Sequence, residues 1–383
     1  MMLLLMMAWT QVFTQNIRGF YVDGFNTILG NTAREDSLLI FAKNNGFNYL
    51  ALYNVYQVHA ATPLTNTSSA QVFANFIQKA KTQYSITEIG VPSENYAFLA
   101  NVINVYNQQH PLATQKVDVY NLEFEFWVPS SVASGAYYCT TYLQPGGFSC
   151  DTAGAFAYYK KTLKRIDSLA NANGRKSEAY FGFFNSGQGK QIVQTGVDRV
   201  LISIYVPSAS YSASYQYNYA KQRLIDLAGA NTNIKVMPLY SAEPSFMQSW
   251  VMSNPFFQPY TSFASSLSAE TGAWKNVIQP EGIQWFAYSF MPKKNLTTRV
   301  EEQNNNQLFT IYPNPSSGTF ELPSGGKETV RHVVVSDLSG KVVYETQISS
   351  GTVVLNRCIE NGVYSVKIIS GTTSWIQKLV ITR

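Results

Sequence analysis

Residues 117–127 read VDVYNLEFEFW and are the most regular of eight strand-like runs that together decide the fold. The other seven runs occupy residues 19–26, 47–56, 85–92, 178–185, 199–207, 233–241 and 282–291. Most of them are separated by longer stretches with helical spacing. Eight strands with helical crossovers over about 275 residues have the size and rhythm of a (β/α)8 TIM barrel. The sequence therefore predicts an α/β fold of this kind.

A doubly wound open sheet is the alternative architecture. Such a sheet more often has five to seven strands, and a glycine-rich phosphate loop follows its first strand. No such loop follows residues 19–26. The strand count therefore favours the barrel.

The composition excludes several classes of protein. Charged residues make up 13% of the 383 residues and aromatic residues 14%, the opposite of a disordered chain. The net charge of +5 is mild and no Lys/Arg run is present, so a nucleic-acid partner is not expected. Beyond the first dozen residues no apolar stretch approaches the roughly 20 residues of a membrane span.

Changes in composition divide the chain into four segments. Residues 1–15 contain a short apolar block and are expected to be a signal peptide, with a buried N-terminal strand as the alternative. Residues 16–292 are the predicted barrel. Residues 293–307 are polar and are expected to be a linker. Residues 308–383 alternate like short strands between turn signals and predict a small all-β, immunoglobulin-like sandwich.

Export changes the interpretation of the three cysteines. Cys139 and Cys150 flank one turn-prone loop, and in an oxidising compartment a disulfide between them is expected, with two free thiols as the alternative. Cys358 has no partner. No cysteine has a histidine at metal-ligand spacing, so neither a metal site nor a cofactor is expected.

Four motifs in the last segment occur in a characteristic order. Residues 311–318 read IYPNPSSG, and residues 335–343, 361–368 and 378–383 follow. Together they resemble the type A C-terminal sorting domain of the type IX secretion system. The resemblance implies a secreted or cell-surface protein that is exported by that machinery, with a tail that carries no chemistry and is removed after export. An ordinary immunoglobulin-like carbohydrate-binding module is the alternative.

The run at residues 117–127 also carries the chemistry. Alternate side chains of a strand share a face. One face is apolar and suits packing under helices: Tyr120, Leu122, Phe124 and Phe126. The other would point into the barrel: Asn121, Glu123, Glu125 and Trp127. When two carboxyls lie close together in a buried site, the pKa of one of them is raised. The general acid of a glycosidase needs such a raised pKa. Outward-facing glutamates in salt bridges are the alternative.

The same run resembles the Asp-x-Asp-x-Glu strand of glycoside hydrolase family 18, which contains chitinases and endo-β-N-acetylglucosaminidases. Residues 201–205 resemble the family's sixth strand and residues 282–285 its eighth. Asn121 and Glu123 replace the two aspartates of the motif. These departures leave open a barrel that binds sugar without cleaving it.

The resemblance implies a role for each matching residue. Glu125 would be the general acid, and Glu123 would hold the substrate acetamide so that its carbonyl oxygen attacks the anomeric carbon. Tyr205 would hydrogen-bond that carbonyl, Trp285 would stack beneath the sugar ring, and Asn121 would orient Glu123. For a substrate without an acetamide, the two glutamates could instead be the nucleophile and acid of ordinary retaining chemistry.

Further polar and aromatic residues near strand ends are weaker candidates for substrate binding. Asp23, Glu243, Tyr240 and Tyr288 follow or end predicted strands, whereas Glu88 is expected to form a structural ion pair. A group of aromatic side chains could offer flat faces to a glycan: Tyr53, Tyr56, Trp127, Tyr137, Tyr138, Tyr142 and Phe148.

The sequence thus predicts a secreted glycoside hydrolase that cleaves β-linked, N-acetylglucosamine-containing glycans. Its expected partners are a glycan or glycoprotein substrate and the type IX machinery. Two alternatives stay open. One is a surface carbohydrate-binding barrel without turnover, and the other is a barrel hydrolase of another polysaccharide class that uses Asp23 or Glu243 with Glu125.

Overall fold

A computed structural model of the protein describes residues 16–207, 212–292, 311–322, 331–337, 341–348, 351–356, 359–370 and 373–382. The expected signal peptide and linker lie outside these residues. The chain divides into two compact units, one up to Lys294 and one from Asn295. Each unit has its own hydrophobic core.

The first unit is a closed barrel of parallel strands. In chain order they are β1 (Ile17–Val22), β2 (Tyr49–Leu52), β3 (Glu88–Ser93), β4 (Val119–Glu123), β5 (Lys176–Phe181), β6 (Arg199–Ser203), β7 (Ile234–Ser241), β8 (Ile278–Pro280) and β9 (Gly282–Phe286). Strands β1 to β7 pair each with the next, and β9 pairs with both β7 and β1. The short β8 pairs with β7 just before β9. The predicted barrel is confirmed, and its closure excludes the open sheet.

Helices connect the strands around the outside. They are α1 (Phe25–Ile28), α2 (Thr32–Asn44), α3 (Val55–Ala61), α4 (Gln71–Gln83), α5 (Tyr96–Phe98), α6 (Asn104–Gln109), α7 (Pro129–Val132), α8 (Thr152–Ala172), α9 (Ser186–Val193), α10 (Ala213–Ala228), α11 (Gln248–Val251) and α12 (Gln258–Ala269). Side-chain caps fix several starts: Asn31, Asp151 and Ser212 each accept a hydrogen bond from a backbone N–H three residues later. No helix among the described residues is both long and apolar enough for a bilayer crossing.

Strand alternation produces two separate apolar clusters in the barrel. Outward side chains such as Phe20, Leu122 and Ile202 pack under the helices in the larger core. Inward side chains such as Tyr21, Tyr49 and Leu201 form a smaller cluster that fills the barrel. The interior is therefore packed, and only its ends are left for a site.

The second unit is antiparallel and all-β, as predicted. A two-stranded sheet pairs β10 (Thr319–Glu321) with β13 (Thr352–Val354). A four-stranded sheet has the order β12 (Val342–Ile348), β11 (Arg331–Ser336), β14 (Gly362–Ser370) and β15 (Thr373–Ile381). Buried residues such as Phe320, Val335 and Val366 form its core.

Candidate active site at the carboxyl end of the barrel

The two faces of β4 are arranged as the alternation predicts. Phe124 and Phe126 are buried in the outer core although they follow the strand. Glu123, at the end of β4, lines a cavity at the carboxyl end of the barrel. Glu125 lies on the same side, and its Oε1 accepts a hydrogen bond of 3.2 Å from the Tyr180 hydroxyl. The outward-facing alternative for the two glutamates is therefore wrong.

Glu123 is in an environment that disfavours its charged form. Burial, followed by the nearby carboxylates of Glu125 and Glu94, raises its pKa to about 8. Its Oε2 is buried without a hydrogen-bond partner among the described residues. The pKa of Glu125 is also raised, mainly by burial, while the hydrogen bond from Tyr180 opposes the rise. At neutral pH Glu123 is thus the carboxyl that holds a proton.

The cavity has a volume of about 250 Å³. Its lining is formed by the ends of β2 to β4 and by the loop after β4: Tyr53, Asn54, Tyr56, Pro92, Ser93, Glu94, Asn95, Phe98, Glu123, Tyr137 and Tyr142. Four of these are tyrosines, which offer flat faces and hydroxyl groups. A cavity of this volume suits one or two sugar rings rather than a long buried ligand.

A disulfide pins the loop that forms one wall of the cavity. Cys139 and Cys150 are bonded, as the sequence predicts. The loop presents Tyr137 and Tyr142, whose hydroxyls donate to Oε2 of Glu94 at 2.9 and 2.7 Å. The third carboxyl of the site is thereby held against this wall.

Tyr205 approaches the site from the end of β6. Its pKa is raised well above the usual value by burial, then by Glu123 and Glu243. The Ser241 hydroxyl donates to Glu243 at 2.8 Å, just after β7. Tyr205 and Glu243 therefore belong to the same end of the barrel as Glu123, although neither lines the cavity described above.

Asn121 points inward but is committed to a buried network below the site. Its Nδ2 donates to Oε1 of Glu178 at 2.6 Å, and Nε of Arg199 donates to Oε2 of Glu178 at 2.6 Å. Arg199 also pairs with Glu88 at 3.0 Å, which confirms the ion pair expected for Glu88. Asn121 is fully buried and its amide is bonded to Glu178 and Tyr21, so the expected role of orienting Glu123 at the substrate site is wrong.

Two aromatic residues expected in the site face the helices instead. Trp285 is fully buried in the outer core, and its Nε1 donates to the Phe256 carbonyl at 3.0 Å. Tyr240 is its neighbour across β7 and β9, with ring centroids 5.5 Å apart. Both predictions are wrong because the inward residues of β9 are Gln284 and Phe286, and those of β7 include Met237 and Leu239.

Three further candidates for substrate binding contact other residues of the protein instead of the cavity. Asp23 accepts hydrogen bonds from the backbone N–H and the hydroxyl of Ser289, which ties the end of β1 to the turn after β9. Tyr288 stacks on Phe20 with centroids 5.7 Å apart, on the outer side of the barrel. Trp127 is half-buried against Tyr180, at 5.5 Å between centroids. None of the three lines the cavity.

Sequence reasoning missed Glu94, which directly follows β3 in the segment Pro92-Ser-Glu94. The signal was available, because a carboxylate just beyond a barrel strand lies at the catalytic end. It also missed Glu178 and Arg199, since an inward charge inside a strand is recognisable only when its partners are known. Among the described residues no group of three or more His, Cys, Asp or Glu side chains is arranged to hold a metal ion.

Several solved structures are similar to the chain at low identity and with TM-scores below 0.5. The GH26 endo-β-1,4-mannanase catalytic domain of Bacillus sp. JAMB-750 is 14% identical, with a TM-score of 0.43 over 72% of this chain and 78% of that one. A Cellulomonas fimi endo-β-1,4-mannanase double mutant is 12% identical, with a TM-score of 0.40 over 96% and 94%. The YdjI aldolase of Escherichia coli K12 is 10% identical, with a TM-score of 0.37 over 70% and 74%. No curated protein sequence matches the chain significantly.

The second unit has a clear relative. Residues 310–382 match the family model of the secretion system C-terminal sorting domain. This agrees with the motif order in the tail and with the antiparallel sheets of this unit. The chain carries a type IX sorting tail at its C-terminus, and it is an exported protein of the cell surface or the surroundings.

Proposed function

We propose that the barrel is a glycoside hydrolase that cleaves β-linked glycans containing N-acetylglucosamine. One observation carries the proposal. Glu123 is a half-buried residue whose Oε2 is buried and whose pKa is raised to about 8, and it lines an aromatic cavity at the carboxyl end of the barrel, beside a second carboxyl at Glu125. A protonated and an ionised carboxyl side by side are the requirement of glycosidic bond cleavage.

The raised pKa favours Glu123 as the proton donor to the leaving glycosidic oxygen. This reverses the roles that the family 18 resemblance implies, in which Glu125 is the acid. Glu125 accepts a hydrogen bond from Tyr180, which opposes the rise in its pKa, and we assign to it the ionised role that stabilises positive charge at the anomeric carbon. The substrate acetamide oxygen is then the nucleophile, as in the family 18 mechanism. Tyr205 is close enough to Glu123 for that carboxyl to raise the pKa of the Tyr205 hydroxyl.

The test is release of reducing ends by the full chain from chitooligosaccharides, high-mannose glycopeptides and plant polysaccharides. Glu123→Gln and Glu125→Gln are each expected to lower the rate by at least about a hundredfold. Glu35→Gln, on the outer surface at the start of α2, is the matched control and is expected to leave the rate unchanged.

Three outcomes would contradict the proposal. Binding without any release of reducing ends would indicate a carbohydrate-binding barrel. Loss of activity in Glu243→Gln with retention in Glu125→Gln would indicate a different carboxylate pair. Cleavage of plant polysaccharides alone would exclude the amino-sugar substrate.

A further inference from the structure

The charge of the cavity lining is one-sided. Two lining residues, Glu94 and Glu123, carry carboxyls, and the described lining contains no Lys, Arg or His. The whole chain has more basic than acidic residues, 28 Lys and Arg against 23 Asp and Glu. The lack of basic residues in the lining is therefore a local feature and does not follow from the composition of the chain. Because Glu123 holds a proton at neutral pH, the negative charge of the lining comes from the Glu94 carboxylate, which repels an anionic ligand and attracts a cationic one.

Glu94 is pre-positioned for such a ligand. Both tyrosine hydroxyls donate to its Oε2, and these hydroxyls lie 3.2 Å apart. No described side chain donates to its Oε1. One oxygen is thus fixed by the disulfide-pinned loop, and the other is available to accept a hydrogen bond from a ligand.

The aromatic walls add a second attraction for positive charge. Tyr56 and Tyr137 line the cavity and are 56% and 58% exposed. The face of an exposed tyrosine ring attracts a cation placed over it and also packs against the C–H face of a sugar. Glu123 also lines the cavity, and its buried Oε2 has no hydrogen-bond partner among the described residues.

We propose that the cavity is a subsite for a sugar that carries a free, protonated amine, with Oε1 of Glu94 accepting a hydrogen bond from the ammonium group. The inference rests on the proposed function and narrows its substrate class. The preferred glycan is then a partly deacetylated β-linked glucosamine polymer, with an acetamide on the sugar that is cleaved and an amine on a neighbouring sugar. An acetamide in this subsite would leave Glu94 without a charged donor and would be bound less tightly.

The experiment is calorimetric binding of tetramers to the full chain at pH 6, where an amine is protonated. The probes are the tetramers of glucosamine, N-acetylglucosamine and glucose, each β-1,4-linked. We expect the glucosamine tetramer to bind the wild type about tenfold to a hundredfold more tightly than the other two, a difference that shrinks in high salt. Glu94→Gln is expected to abolish this preference and to leave binding of the acetylated tetramer within about twofold.

The second variant keeps the Glu94 carboxylate and removes the two tyrosine hydroxyls that donate hydrogen bonds to it. Tyr137→Phe combined with Tyr142→Phe is expected to weaken the preference without abolishing it, and Glu35→Gln to leave it intact. Equal binding of the three tetramers, or an equal loss for all of them in Glu94→Gln, would overturn the proposal. Hydrolysis is scored separately: preferential binding without cleavage rejects only the proposed function, and cleavage without a preference for the amine rejects only this subsite.

Discussion

At the residue scale, Glu123 shows how burial turns a carboxyl into an acid. Its pKa rises because water is excluded and because two other carboxylates lie nearby. The same shift affects stability. The folded protein binds a proton at Glu123 up to a pH of about 8, whereas the unfolded chain releases it near the ordinary value of about 4.3. Stability from this group is therefore fully present below pH 4 and is lost as the pH rises towards 8.

We therefore predict that Glu123→Gln stabilises the protein at alkaline pH. The amide removes the charge that is costly to bury, so the melting temperature at pH 9 should rise by several degrees, while at pH 4 it should be nearly unchanged. Thermal melts across pH 4–9 measure this difference. A constant difference between variant and wild type at every pH would contradict the assigned protonation.

Arg199 differs from Glu123 in that its charge is buried and stabilised, because carboxylates pair with it. Its guanidinium is fully buried and pairs with Glu178 and Glu88. Arg199→Met should lower the free energy of unfolding by about 3–5 kcal/mol, because it leaves buried carboxylates without a partner. Lys176→Met is the control, since Lys176 pairs with Glu88 but is 44% exposed, and it should cost below about 1 kcal/mol. Chemical denaturation measures the free energy of unfolding of both variants. Similar decreases in the two variants would contradict the assigned role of Arg199 in stabilising the barrel.

At the scale of elements, the loop after β4 determines one wall of the cavity. The disulfide joins residues 11 positions apart and holds the two tyrosines that contact Glu94. Such a short closed loop is worth up to about 3 kcal/mol in the chain-entropy account. The loop is thus a stabilised structural element, although it lies on the surface.

We predict that Cys139→Ser combined with Cys150→Ser lowers the melting temperature and loosens the cavity wall. Amide hydrogen exchange should increase in residues 133–150 and remain unchanged in the barrel strands, because the strands have their own pairing. Glycan affinity should fall with the loss of order at Tyr137 and Tyr142. Unchanged exchange in the loop would show that packing alone, and not the disulfide, holds this wall.

At the scale of the whole molecule, each of the two units has its own core. The barrel core consists of the outer and inner clusters, and the tail core of residues such as Phe320 and Val366. A unit with a complete core folds independently. The chemistry and the sorting information are thereby separated along the chain.

Removal of residues 308–383 should therefore leave a folded barrel with the melting temperature and glycan binding of the barrel in the intact chain. Export should be lost, so that in the native host the truncated protein should remain inside the outer membrane. Calorimetry and cell fractionation measure the two effects. Aggregation of the truncated barrel would contradict independent folding.

The sequence predicted the barrel, the sorting tail, the disulfide and the inward direction of Glu123 and Glu125. These features depend on local periodicity and on motifs that are continuous in the chain. The errors at Asn121, Tyr240 and Trp285 have a different origin. Whether an inward residue lies in the site or in the buried polar network depends on how far along its strand it is placed, and Asn121 lies two positions before Glu123 on β4. Whether an aromatic residue faces in or out depends on the strand register.

Local sequence determined which segments become strands, because a period of two and the flanking turns act over a few residues. It also determined the export tail. The closed barrel, and not any local stretch, brings Glu94 to Glu123, places Tyr137 and Tyr142 against Glu94, and pairs Arg199 with Glu178 and Glu88. These groups lie on different strands and loops, and their pKa values and contacts arise from burial and from charges that only the closed barrel brings together.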